Sequence, residues 1–201
     1  MLAVAALVLL GILGIVAETG LIQIPVLSSV LYATPPQPIR AVEPAGPADV
    51  GSLLKSKAGA TEGQVQVAVT EGELTQLVRE PQTDGQVPVK QAQVAIEPRF
   101  IELYGLMNIN QGASTTVIRV RLTPGTTPGE FQLSEIYIGY VRVPIALAKG
   151  IVALLTHITP PDMLSAAKYG VQSIALQQGV ATVSLDAATL QGALTDQAGN
   201  R

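Results

Sequence analysis

The stretch GEFQLSEIYIGYVRVPIALAKGIVALLTH, residues 129–157, decides the fold class. From Phe131 onward its first half alternates apolar and polar side chains, which is the period of a strand with one buried face. The inward positions shift by one residue at Ser134, so a β-bulge is expected there. Pro144 suits the first turn of a helix, and the residues after it are apolar on nearly every side. This order predicts a curved sheet packed against an apolar helix over residues 145–155.

The composition supports a packed core and excludes several classes of function. Apolar residues make up 48% of the 201 residues and charged residues only 13%, so a sizeable core is expected. The net charge of −3 and the lack of a basic run argue against a nucleic-acid partner, because phosphate binding needs clustered Lys and Arg. Cysteine is absent, which leaves no disulfide, no thiolate metal site and no cysteine nucleophile.

Residues 1–33 are expected to form a membrane anchor and its flank. The segment Met1 to Ala17 carries no charged or polar side chain, and as a helix it would be roughly 25 Å long. A cleaved signal peptide is the main alternative, although neither a basic start nor a small-residue cleavage site precedes Glu18. A buried helix of a globular domain is the third interpretation. The anchor interpretation places the chain at the cell membrane as a single-pass protein.

Residues 34–63 are predicted to be a proline-rich linker that leads to a folded domain over residues 64–185. Five of the first 14 linker residues are prolines, which favour extended chain. The domain begins with an alternating apolar strand. The pattern Thr70-x-x-Glu73 then predicts a capping box at the start of a helix. Residues 186–201 are small and polar and are expected to form a flexible tail.

The rest of the domain is predicted to be mainly strands. Residues 92–122 contain three alternating strands, and the tight turns between them predict an antiparallel meander. Residues 171–185 predict a hairpin, which a short helix after Pro160 and Pro161 precedes. The predicted fold class is therefore α+β: a curved antiparallel β-sheet wrapped around an apolar helix, preceded by an N-terminal transmembrane helix.

No group of residues indicates catalysis. Glu71 and Glu73 are explained by capping and by the helix dipole. Arg119 and Arg121 alternate on one strand, where an anion site and a solvated strand face are both open, and the solvated face is the favoured interpretation. His157 has no second histidine or cysteine with which to form a metal site. The prediction is a protein that is not an enzyme and that needs no metal and no cofactor.

The motif GYVRVP at residues 139–144, ahead of the apolar helix, carries a family resemblance. The sequence TEGEL at residues 70–74 and the hairpin SIALQQGVATVSL at residues 173–185 accompany it. In this order the motifs resemble the YpmS-like family of membrane-anchored extracytoplasmic proteins and are similar to the LmeA-like phospholipid-binding proteins. Both groups look like relatives of the tubular lipid-binding (TULIP) fold, in which a long helix lies in a highly curved antiparallel sheet. The resemblance covers about residues 64–185 and implies an extracytoplasmic role in binding or handling lipid, without catalytic residues.

Two functions are consistent with this pattern. The favoured one is binding of a lipid or another hydrophobic ligand in a groove between helix and sheet, with the membrane as partner and the folded domain on the extracytoplasmic side. The alternative is a non-enzymatic scaffold or interaction module that holds an envelope partner protein. The candidate ligand-binding residues are the apolar positions expected to face the groove: Leu74, Leu77, Val78, Ile101, Leu103, Val120, Phe131, Leu133, Ile138, Ile145, Leu147, Ala148, Ile151, Leu154 and Leu155.

Overall fold

The computed structural model describes residues 2–22, 27–32, 34–47, 49–57, 63–79, 89–109, 114–127, 129–147 and 170–192. The helices are α1 (Leu2–Thr19), α2 (Leu27–Leu31), α3 (Val50–Lys57) and α4 (Glu71–Arg79). The strands are β1 (Gln64–Thr70), β2 (Val89–Glu97), β3 (Phe100–Ile109), β4 (Ser114–Pro124), β5 (Phe131–Ile138), β6 (Val141–Val143), β7 (Val171–Gln177) and β8 (Val180–Asp186). A 3-10 turn lies at Ile145–Leu147.

The strands form two curved antiparallel sheets, which confirms the α+β class. The larger sheet has the order β2-β3-β4-β5-β6, so the predicted meander is confirmed. The smaller sheet has the order β1-β8-β7, in which the predicted C-terminal hairpin pairs with the first strand of the domain. The two sheets meet where the β7–β8 turn reaches β2, because the Gly179 amide donates to the Ile96 carbonyl at 2.9 Å.

Strand β5 has the predicted bulge but ends earlier than expected. Arg121 pairs with Glu135 and Leu122 with Leu133, which leaves Ser134 as the extra residue and confirms the bulge. The sequence predicted a strand that leads to a helix at Pro144; instead, Gly139 and Tyr140 form a two-residue turn into β6. Gly139 alone of this pair has a positive φ, +58°, as in the first central residue of a type II′ turn.

The predicted apolar helix lies mostly outside the described residues. Pro144 is followed by the 3-10 turn Ile145–Leu147, and residues 148–169, which include the second predicted helix and His157, are outside the described part of the chain. The packing of a helix against the curved sheet therefore stays a prediction.

Helix α4 covers the free edge of β2. Its predicted capping box is confirmed, because the Thr70 amide donates to Glu73 Oε2 at 2.8 Å and the Glu73 amide donates to Thr70 Oγ1 at 3.3 Å. The buried Thr75 hydroxyl accepts from the Val94 amide at 2.9 Å. Arg79 Nε donates to the Ala92 carbonyl at 2.7 Å. These bonds satisfy edge groups that would otherwise be open to pairing with another strand.

Helix α4 also separates two parts of the hydrophobic core. Leu77 packs with Val67 and Leu185 of the smaller sheet. Val78, the next residue, packs with Val94 and Ile101 of the larger sheet. The helix therefore lies between the two sheets and contributes one side of itself to each.

Residues 34–47, expected to act as a spacer, instead pack against the folded domain; this segment is called the strap. Its backbone is bound by side chains of the larger sheet: the Val42 amide donates to Gln93 Oε1 at 2.9 Å, and the Tyr104 hydroxyl donates to the Pro36 carbonyl at 3.3 Å. The extended chain that the prolines favour is therefore fixed on the sheet by side-chain hydrogen bonds.

Arg40 ties the strap to the end of β2 and to the start of α4. Its guanidinium forms a bidentate contact with Glu71, with donor–acceptor distances of 2.7–3.0 Å, and also donates to Glu97 at 2.5 Å and to the Ile96 carbonyl at 2.6 Å. The hydrogen bonds from Arg40 hold the pKa of Glu71 below its ordinary value. The role of Glu71 is thus wider than the helix-dipole interaction expected from the sequence.

Two segments that flank the predicted domain, α3 and the start of the predicted tail, contribute buried residues to its core. Leu53 and Leu54 of α3 are buried against β1, and Lys57 pairs with Glu73 at 2.8 Å. Residues 187–192 are helical, and Leu190 in this turn is buried in the same cluster. The turn begins at Asp186, whose carboxylate accepts from the Thr189 amide at 2.8 Å. The first part of the predicted flexible tail is therefore folded.

Helix α1 covers the N-terminal apolar segment from Leu2 to Thr19. Within the described residues, no helix combines the length and the apolar character that are needed to cross a membrane.

Candidate functional site

The candidate site is the apolar face of the larger sheet. Alternation within each strand puts one set of side chains on this face, and the strand register aligns them into rows. One row runs from Val94 through Leu103, Val120 and Ile136 to Val143 and so crosses all five strands. The apolar face is defined here by its members in the two clusters that line it: Val94, Ile101, Leu103, Met107, Ile118, Val120, Leu122, Phe131, Leu133, Ile136 and Val143.

The members of the apolar face are buried to different depths. Val120 and Ile136, in the middle of the sheet, are almost wholly buried. Leu103, Leu122 and Leu133 around them are only half-buried. Within the described part of the chain, the cluster around Val120 and Ile136 consists of strand residues alone. The half-buried side chains thus offer apolar surface to whatever packs on this face.

The predicted site residues divide into several groups. Ile101, Leu103, Val120, Phe131 and Leu133 are brought together on the apolar face, with Val78 of α4 at one end. Leu74 packs against the clusters on both sides of α4, whereas Leu77 belongs to the core of the smaller sheet. Ile138 is half-buried beside the β5–β6 turn, and Ile145 is half exposed. The side chain of Leu147 and all of Ala148, Ile151, Leu154 and Leu155 lie outside the described residues.

Several members of the apolar face were not among the predicted site residues. Met107, Leu122, Ile136 and Val143 follow the same alternation as their neighbours, so the period of two could have identified them. Leu176 of β7 also packs on the cluster around Val94. No local signal points to Leu176, because its place depends on how the two sheets meet.

The opposite face of the larger sheet is polar and holds a network of ion pairs. Arg121 Nε donates to Glu102 at 3.0 Å and its terminal nitrogen donates to Glu135 at 2.8 Å. Glu102 is 1% exposed, and its other oxygen accepts from the Ile39 amide of the strap at 3.4 Å. Burial acts to lower the pKa of Arg121, but the hydrogen bonds to the two carboxylates outweigh it and raise that pKa, so the guanidinium stays charged.

For Arg121 of β4, this network rules out both the open anion site and the solvated strand face. Arg121 is engaged by two carboxylates, and its guanidinium also lies 4.8 Å from the centroid of the Phe100 ring. Arg119 lies 4.8 Å from the centroid of the Tyr137 ring. The charge of Arg121 is therefore used within the sheet, whereas Arg119 contacts the Tyr137 ring and its buried Nε has no hydrogen-bond partner among the described residues.

The described residues offer no arrangement for metal chemistry. Among them, no three histidine or acidic side chains come together in a way that could hold a metal ion. A comparison of the chain with protein-family models, with curated proteins and with solved structures gave no match.

Proposed function

We propose that the chain binds a lipid or another hydrophobic ligand on the apolar face of the larger sheet. In this proposal residues 1–33 hold the chain at the cell membrane and the folded domain lies on the extracytoplasmic side. The observation that carries the proposal is the group of three half-buried leucines at positions 103, 122 and 133, which border the buried Val120 and Ile136 on a single sheet.

The chemistry of the face suits an acyl chain. Its lining is aliphatic apart from the ring of Phe131 and the thioether of Met107, and the ion pairs of the sheet lie on the other side. Apolar burial is worth about 25 cal/mol per Å², so an acyl chain needs no charge pairing to be retained. A ligand of this kind would lie along the face with its polar head directed to solvent, as is common in apolar binding sites.

A fluorescent fatty acid provides the test of this proposal. Leu103→Gln and Leu133→Gln each replace a leucine of the face, and each is expected to raise the Kd for the probe about tenfold, because burying one leucine side chain is worth roughly 1.5 kcal/mol. The titration is performed on the full chain in detergent, and native mass spectrometry identifies any lipid that remains bound after purification.

Val171→Gln is the matched control, because Val171 is also half-buried but packs in the core of the smaller sheet. It should weaken folding to a similar degree and leave the Kd unchanged. Equal Kd values for all three variants and the unmodified chain would refute the proposal. A chain that carries no lipid but recovers one stoichiometric envelope protein would support the scaffold alternative instead.

A further inference from the structure

The end of helix α1 is bound to the β5–β6 turn; this contact is called the junction. The last carbonyl groups of a helix have no partner within the helix and must be satisfied elsewhere. Here the Glu18 carbonyl accepts from the Tyr140 amide at 3.2 Å, and the Thr19 carbonyl accepts from the buried Thr116 hydroxyl. The sheet therefore supplies the partners of the last two carbonyl groups of the helix.

Two glycines allow the close approach at the junction. A Cβ atom on Gly139 would lie 2.4 Å from the Glu18 carbonyl oxygen, and one on Gly20 would lie 2.5 Å from the ring of Tyr32. The Tyr32 ring meets the Tyr140 ring edge-on, with 6.0 Å between centroids. The Tyr32 hydroxyl accepts from the Val117 amide of β4 at 3.1 Å. Helix α1 is thus fixed to the sheet by backbone contacts, with no spacer between them.

Large apolar side chains are exposed in the segments that flank the junction; they are called the rim. Ile22 follows α1, Val30 lies in α2, and Tyr140 and Ile145 flank β6. Their exposed fractions are 58%, 73%, 48% and 50%, respectively. Outside the rim, Ile12 and Ile15 lie one turn apart on α1 and are also more than half exposed. The segments that carry the side chains at positions 22, 30 and 140 are joined at the junction, and exposed apolar side chains that form a patch mark an interaction surface.

We propose that the rim is a membrane-contact surface that seats the β5–β6 end of the larger sheet on the lipid headgroup layer. The partner is the bilayer itself, because the rim continues directly from α1, and the segment from Met1 to Ala17 has no charged or polar side chain. Tyr140 suits this layer, since tyrosine is enriched where an apolar ring and a polar hydroxyl meet different surroundings. Its hydroxyl donates to the Thr34 carbonyl at 2.7 Å, so the ring is held in place.

The position of the rim provides a route by which a lipid would reach the apolar face. Ile118 of the apolar face pairs with Ile138, the last residue before the β5–β6 turn, so the apolar face reaches the same end of the sheet as the rim. A lipid could then pass from the headgroup layer onto the face without crossing water. This inference depends on the proposed membrane anchoring, but not on the lipid affinity of the face.

Depth-dependent fluorescence quenching tests the rim. The chain has no cysteine, so Val30→Cys and Ile145→Cys can each be labelled at one site with an environment-sensitive dye. Ser52→Cys and Gln172→Cys, which are exposed on α3 and β7, are the controls. The full chain is placed in phosphatidylcholine nanodiscs that contain nitroxide lipids. Headgroup nitroxides are expected to quench the rim labels several-fold more than the control labels.

An Ile12→Cys label distinguishes a chain that is not anchored from an anchored chain whose rim does not contact the membrane. If nitroxides in the acyl region quench the label at position 12 while the rim labels behave like the controls, the chain is anchored and the inference is wrong. If no label is quenched by lipid, the anchoring fails and the inference fails with it. Rim labels that are shielded from a water-soluble quencher yet not quenched by lipid would indicate a protein contact, such as one between two copies of the chain, and would also overturn the inference.

Discussion

Arg40→Ala is expected to lower the free energy of unfolding by about 3 kcal/mol. The side chain is 25% exposed and is the common partner of Glu71 and Glu97, which are 19% and 21% exposed. Its removal leaves two carboxylates close together without a counter-charge, and it also leaves the Ile96 carbonyl without one of its donors. Urea unfolding of both proteins measures the difference.

The pH dependence of this difference in unfolding free energy shows whether it comes from the ion pair or from lost packing. Arg40 lowers the pKa of Glu71 in the folded state. The stabilisation by this ion pair is therefore complete above the ordinary glutamate pKa of 4.5, and it is lost as the pH falls through the lower pKa of the folded state. The difference between the two proteins should therefore shrink below about pH 4.5. Arg99→Ala, at an exposed turn position, should change stability by less than about 0.5 kcal/mol. A pH-independent difference would contradict the ion-pair explanation.

The strands of the larger sheet were predictable because each has one buried face. Alternation from residue to residue identifies such strands, and the one-residue shift in the inward positions located the bulge at Ser134. The turn at Gly139 was missed, since a glycine within an apolar run fits both a kink and a hairpin. The pairing of β1 with β8 joins Gln64 to Asp186, and nothing local to either strand selects this partner.

The strap was the largest difference between expectation and structure. Five prolines predict extended chain, but they do not predict where that chain lies. The position is decided by Arg40, Gln93 and Tyr104, whose partners come together only after the sheet has formed. Side-chain bonds over such sequence separations have no periodic signal.

The candidate site was predictable on the strands and less so on α4. Ile101, Leu103 and Val120 follow from the period of two, and they do meet on one face. Leu77 and Val78 looked like one side of an amphipathic helix facing one groove. Because α4 lies between two sheets, the adjacent residues face different clusters, and the sequence of a helix alone does not distinguish one neighbour from two.

Gly139→Ala is expected to lower the free energy of unfolding by about 3 kcal/mol, with two separate causes. A positive φ of +58° is unfavourable for alanine and costs about 1–2 kcal/mol. In addition, the new Cβ would meet the carbonyl oxygens of Glu18 and Thr19 at 2.4 and 2.8 Å, so the end of α1 must move. That movement breaks the hydrogen bond from the Tyr140 amide to Glu18, a bond worth about 1 kcal/mol.

Gly179→Ala isolates the second cause. Gly179 also lies in a two-residue hairpin turn and has a φ of +81°, but no atom lies within 4 Å of where its Cβ would be. Its substitution should therefore cost only the conformational term, about 1–2 kcal/mol. The excess cost at Gly139, measured by urea unfolding of both variants, is then the free energy with which the junction holds α1 on the sheet. Equal costs would mean that α1 is not held at the β5–β6 turn in solution, and the orientation that the rim requires would have no structural basis.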